Sequence, residues 1–156
     1  MSLQRDAVGR CLAFVVALCL LVPAPAGASS ALGLRVLRGI NAERAKYGLQ
    51  PLRLAPSLRR LAGAHSRYMA RVERLQHESA DGTSATRRIW LATHLRRNGE
   101  AIAFAASPRA LVRAWMASPP HRRLLLSRSF RVIGVGVVRG SFESYRVLYA
   151  TADLGA

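Results

Sequence analysis

The sequence predicts an α+β domain, with helices packed on a small, mostly antiparallel sheet. Three observations carry this. Apolar residues recur every three or four positions through most of the chain, which marks amphipathic helices. The last part instead holds a β-branched, glycine-punctuated run and a second alternating run joined by a turn, which marks a hairpin. Both cysteines, Cys11 and Cys19, lie in the first 28 residues, so packing rather than disulfides must hold the rest together.

The elements follow in order. Residues 31–47 read as a helix on the stripe Leu32, Val36 and Ile40, with Gly48 placed for a left-handed cap. A proline-broken connector spans 48–56. A second helix is expected over 56–75, its core stripe running through Leu58, Leu61, Ala62, His65, Met69 and Val72. His65 on that stripe reads as a hydrogen-bonded core residue. A polar loop covers 77–84, and a short helix 85–95 carries Ile89 and Trp90. His94 at its end reads as solvated. Ser107-Pro108 pairs an N-cap serine with a first-turn proline and starts a helix carrying Leu111, Val112 and Trp115. Ser118-Pro119 repeats the pattern, so another short helix is expected there, with His121 in its first turn. Residues 131–138 and 145–154 form the hairpin, with the turn in 139–144. Gly134 and Gly136 lie within its first strand, where glycine permits close backbone approach or a bulge.

At 156 residues the chain is one domain on size. Residues 1–28 stand apart as a signal peptide. They have a basic start at Arg5 and Arg10, an apolar run over 11–22, and a small-residue end at Ala26-Gly27-Ala28. Twelve or so apolar residues fall short of the ~20 needed to span a bilayer, and an uncleaved anchor is the alternative. The expected organisation is thus a signal peptide, 1–28, and a single domain, 29–156. No transmembrane segment is expected after cleavage, and the location is secreted, periplasmic or cell envelope.

The formal charge is +16. Cleavage would remove Arg5, Arg10 and Asp6 and leave +15. Such a surface attracts polyanions, and outside the cytoplasm those are anionic lipid headgroups and cell-wall polymers. No nucleic acid partner is expected. The basic residues are almost all arginine and are scattered, without a block of five or six, so the charge also reads as compositional bias.

The candidates for chemistry are His77, Glu100 and His121, with Glu78, Asp81 and Ser118 as neighbours. None has the short helical spacing of a chelating H-E-x-x-H, so any shared site must be assembled by the fold. Two imidazoles and a carboxylate suffice for a divalent metal such as zinc with an open position, or for acid–base work. No G-x-S-x-G elbow, glycine-rich phosphate loop or dinucleotide fingerprint occurs. A mature chain without thiols also excludes a cysteine nucleophile.

Six segments in order, I-N-A-E-R-A-K-Y-G-L-Q-P-L, A-x-x-H-S-x-x-M-A, H-E-S-A-D-G, N-G-E-A-I-A, W-M-A-S-P-P-H-R and I-G-V-G, form a recognisable series. Over about residues 34–155 the chain resembles the bacterial branch of the CAP superfamily (cysteine-rich secretory proteins, antigen 5 and pathogenesis-related proteins; the SCP-like extracellular domain). The resemblance implies an α-β-α sandwich, an extracellular or envelope location, and a cleft of two histidines and two glutamates that in some members holds a divalent metal. His77, Glu100 and His121 match three of the four. Ser118 stands where the second glutamate is expected, and Ala101 replaces the asparagine of G-E-N. The chain closes on Y-A-T-A-D-L-G instead of Y-x-T-Q-x-F-G. An incomplete tetrad favours a non-enzymatic binding module for a divalent ion, a small molecule, a lipid or an envelope component. The alternative is a metal-assisted hydrolase, peptidase or esterase-like, with His77 and His121 as ligands and Glu100 as ligand or base.

Overall fold

The computed structural model of the chain describes residues 26–156, with side chains from Ala31 onward. The expected signal peptide, 1–28, lies outside the described residues except for the backbone of 26–28. The elements are α1 (Ala26–Lys46), β1 (Arg53–Leu54), α2 (Pro56–Val72), α3 (Ala85–Thr93), β2 (Asn98–Ala105), α4 (Pro108–Ala117), α5 (Pro119–Leu125), β3 (Val132–Phe142) and β4 (Tyr145–Gly155). The four strands form one sheet in the order β1-β3-β4-β2. β3–β4 and β4–β2 are antiparallel, and the two-residue β1 adds parallel to β3. The α+β expectation holds.

Helices cover both faces, because the strands alternate. Ile133, Val135 and Val137 of β3, Leu148, Ala150, Ala152 and Leu154 of β4, and Ala101 and Ala103 of β2 share one apolar core. Leu32, Val36 and Ile40 of α1 and Leu111, Val112 and Trp115 of α4 close it from outside. Trp115 is fully buried and donates its indole N–H to the Ile102 carbonyl at 3.1 Å. The opposite face carries α2, lying across β3 and β4, with α3 against α2 and β2. There Gly134 and Gly136 face the helix. A Cβ at Gly134 would stand 2.0 Å from the Leu58 carbonyl carbon, and one at Gly136 2.3 Å from that of Ala62. The glycines admit close backbone approach, and no bulge interrupts their pairing with Asp153 and Thr151.

Several boundaries differ from expectation. α2 ends at Val72 because Glu73 turns left-handed (φ 49°) and its N–H bonds the Met69 carbonyl. His94 does the same after α3 (φ 57°), donating to the Trp90 carbonyl. The hairpin strands run on to Phe142 and from Tyr145, leaving only Glu143 and Ser144 in the turn, both at positive φ. That two-residue geometry matches the twist of the strands. α4 begins as expected, with the Ser107 hydroxyl accepting from the Ala110 N–H. α5 also forms, although Ser118 makes no side-chain cap. Periodicity revealed neither β2 nor the two-residue β1, which lies within the expected connector.

One buried charge fixes α5. Arg44 of α1 is 1% exposed. It donates to the carbonyls of Gln50 (2.9 Å), Leu125 (2.6 Å) and Ser127 (3.0 Å), so the end of α5 is bound through a side chain of α1.

Candidate functional site

Glu100 is the third residue of β2 and points to the α2 face, where α3 also packs. Its side chain is 1% exposed, and both oxygens are engaged. Oε1 accepts from His77 Nδ1 at 2.8 Å. Oε2 accepts a short hydrogen bond from Arg88 Nη2 of α3. Arg88 also donates through Nη1 to the His77 carbonyl (2.9 Å) and the Ser79 hydroxyl (3.0 Å), so one guanidinium holds both the carboxylate and the loop that carries His77. His77 itself stands at the rim with its side chain 49% exposed. Its pKa is raised, first by the hydrogen bond to Glu100.

His65 of α2 lies on the inner side of the cluster. Nε2 donates to the Gln76 carbonyl at 2.8 Å and stands 3.8 Å from Glu100 Oε2. Burial lowers its pKa more than Glu100 raises it, so the ring stays neutral near pH 7. It is a satisfied core histidine that borders the site.

His121 occupies the first turn of α5. That helix is seated against the start of β2, where Leu124 fills the space over Gly99; a Cβ at Gly99 would lie 2.6 Å from Leu124 Cδ1. Burial lowers the His121 pKa, and the charge of His77 lowers it further, so the two rings share one electrostatic neighbourhood. Ser118 is the half-buried hinge between α4 and α5.

Beneath Glu100 lies a group that sequence reasoning passed over. Asp153 of β4 is directly opposite Glu100 in the antiparallel ladder and has no exposed surface. As a carboxylate, neither of its oxygens has a donor. Burial first, and Glu100 second, push its pKa well above the carboxylate range, and the protonated acid shares a hydrogen bond with Glu100. Arg88 was equally hidden, as one arginine among many of similar context. Asp153 sat inside a motif noted only as a departure from a pattern. Its signal was the alternation of β4, which places Tyr149, Thr151 and Asp153 on the face opposite the apolar core.

This arrangement does not suit a metal centre that uses Glu100 as ligand. Both carboxylate oxygens are taken, and a permanent guanidinium charge stands against one of them. Among the described residues, no group of three or more His, Cys, Asp or Glu side chains could hold a metal ion. What the geometry supplies is an oriented imidazole: the Nδ1–H of His77 is fixed by Glu100, which leaves Nε2 as the free ring nitrogen.

Known proteins place this fold and site in context. The model of the CAP family, described as the cysteine-rich secretory protein family, matches residues 37–154. The protein YkwD of Bacillus subtilis is 35% identical over 106 residues, covering 67% of this chain and 41% of its own length. The chain therefore spans about two-fifths of that relative. An extracellular SCP-domain protein of Bacillus anthracis superposes with a TM-score of 0.69 at 21% identity, over 81% of this chain and 41% of that one. An outer surface protein of Borrelia burgdorferi gives 0.65 at 21% identity, over 77% and 88%. These structures share the fold, and their names place them outside the cell or on its surface. Among the described residues of this chain, no helix is long and apolar enough to cross a membrane. With the family model spanning most of the sequence and both layers of helices, the chain belongs to the CAP, or cysteine-rich secretory protein, family.

Proposed function

We propose that the chain is an extracytoplasmic CAP domain that binds a ligand at a mouth formed by His77 and His121, and that it is not a hydrolase. The observation that carries this reading is the commitment of Glu100. A general base needs a free lone pair directed at water, whereas the Glu100 carboxylate is buried and held by Arg88 and His77. Glu100 acts instead from behind, orienting His77. Location outside the cytoplasm, secreted or in the envelope, is supported by the leader pattern in residues 1–28 and by the surface-exposed relatives.

The ligand chemistry follows from the two rings. His121 is biased toward the neutral form, and His77 offers Nε2 once it loses its proton. Two imidazoles can take a divalent ion such as Zn²⁺ weakly, with solvent completing the shell. They can equally face a small molecule, lipid or envelope component. Calorimetry with Zn²⁺ on the domain tests the ion reading. Saturable binding that tightens above the raised His77 pKa is expected, and it should disappear in the His77→Ala/His121→Ala double variant. Equal binding by that variant removes the ion from the proposal. In parallel, peptide and ester substrates should show no turnover. Turnover that Glu100→Gln abolishes in a folded protein would overturn the binding-only reading.

A further inference from the structure

Arg88 also borders a cavity that neither His77 nor His121 lines. It has a volume of about 200 Å³ and is walled by α2, the loop before α3, and α3 itself. Leu61 and Ala64 form its apolar side. The remaining lining is rich in donors and contains no Asp or Glu. Tyr68 already accepts a hydrogen bond from Gln76 Nε2 (2.9 Å), which leaves its hydroxyl proton to give. Ser79 accepts from Arg88 and is left with its own O–H. Arg71 makes no ion pair among the described residues. Arg88 completes the wall, and its buried Nε–H has no acceptor. His65 borders the cavity as a neutral ring whose Nε2 proton is already given to Gln76.

Glu100 balances one of the two guanidinium charges, and among the described residues no carboxylate pairs with the other. Two guanidinium groups disfavour a cation in this lining, and a hydrocarbon would leave the buried Arg88 Nε–H without an acceptor. A compact group that only accepts hydrogen bonds and carries negative charge answers both imbalances. We propose that this cavity is a binding site for a small oxyanion, a carboxylate or a phosphate, held by Arg71, Tyr68 and Ser79 beside Arg88. The site is distinct from the mouth, since neither His77 nor His121 lines it, and the two share only Arg88 and the loop that Arg88 holds.

The experiment is an NMR titration of the domain with sodium acetate and, separately, with inorganic phosphate, at constant ionic strength set with chloride. A bound anion beside His65 favours its imidazolium form, so the His65 ring resonances should shift saturably and its apparent pKa should rise. Tyr68→Phe and Arg71→Ala, neither of them in the apolar core clusters, should each weaken binding about tenfold. The control is the Arg139→Ala/Arg146→Ala double variant, which removes the arginines of a separate cavity at the hairpin end and should bind as well as the parent. The acetate and phosphate arms decide which oxyanion is preferred. Shifts that do not saturate, or binding unchanged in both single variants, would overturn the proposal. So would binding lost in the hairpin double variant. Zinc binding at the mouth is read separately and survives either result.

Discussion

On the α1/α4 side of the sheet, β3 presents Ile133, Val135 and Val137; on the α2 side the same strand presents Gly134 and Gly136. The first face fills most of the space under its helices with branched side chains and with Trp115, Leu111 and Ile40. There α1 meets the strand backbone at one point only among the described glycines, where a Cβ on Gly33 would lie 2.7 Å from the Val135 carbonyl oxygen. The second brings the α2 backbone down onto the strand, then opens beyond the glycines into a polar pocket. Along that side Ser66 donates to the Gly136 carbonyl (3.1 Å), its hydroxyl lies 3.0 Å from that of Thr151, and Glu100 and Asp153 sit opposite each other next along. One face is solved by volume and the other by contact and hydrogen bonding. Chemistry collects on the second because its tight glycine seam seals polar groups from water without needing bulk to do so.

The sharpest break between the faces is in how they respond to size. Trp115→Ala empties a filled core and should cost about 4 kcal/mol, read as a lower midpoint in urea with an unchanged slope. Gly136→Ala adds a single methyl on the other side and should cost about 2–3 kcal/mol, since the clash is with helix backbone and not with a movable side chain. A neutral Gly136→Ala would mean that α2 does not rest on the strand backbone there.

The charge arrangement beneath Glu100 gives a smaller effect of opposite sign. Asp153 has a raised folded pKa, so its protonated form is the one that folding favours. Its penalty therefore grows as pH rises from the unfolded carboxylate range toward the folded pKa. Asp153→Asn has no proton to lose and can still donate to Glu100. It should be more stable than the parent by about 1 kcal/mol at pH 7, and thermal melts should show the gap closing near pH 4.

His77 gives the smallest effect. Its folded pKa is raised, so the pairing with Glu100 stabilises fully below the unfolded value of 6.5 and is lost as pH rises through the folded value. His77→Gln should lose less than about 1 kcal/mol below pH 6, because the ring is half exposed, and nothing measurable at high pH. His65 and His121 act in the opposite direction, and because the His77 charge helps to lower both, its removal also eases their penalty and makes the net loss smaller still.

The same contrast explains what could be read from the sequence. The apolar face was legible because its residues repeat at helical and strand periods: Leu32–Val36–Ile40, Ser107-Pro108 before Leu111, and the Val135–Val137 alternation all found their places. β2 was not, because N-G-E-A-I-A-F-A is short, rich in alanine, and buried on both sides, so no alternation marks it. His77, Glu100 and His121 were legible as unusual residues in an arginine-rich chain. Arg88 and Arg44 were not, since what sets them apart is what they touch, and neighbours of distant sequence leave no local trace. The mutual position of Glu100 and Asp153 depends on a strand register that only the folded sheet sets.

The grip of Arg44 on the end of α5 also bears on the order of folding. It closes a loop of 81 residues to reach Leu125, and Glu100 meets Asp153 only after the C-terminal hairpin has added β2 at its outer edge. Contacts of such separation form after local ones, since the chain entropy lost in closing them must be offset by structure already in place. Helices and hairpin can rehearse their shapes early, but the mouth between His77 and His121 has no local precursor. It exists only when α5, β2 and the loop carrying His77 are docked together, and the hold of α1 on α5 is one of the contacts that keep them so.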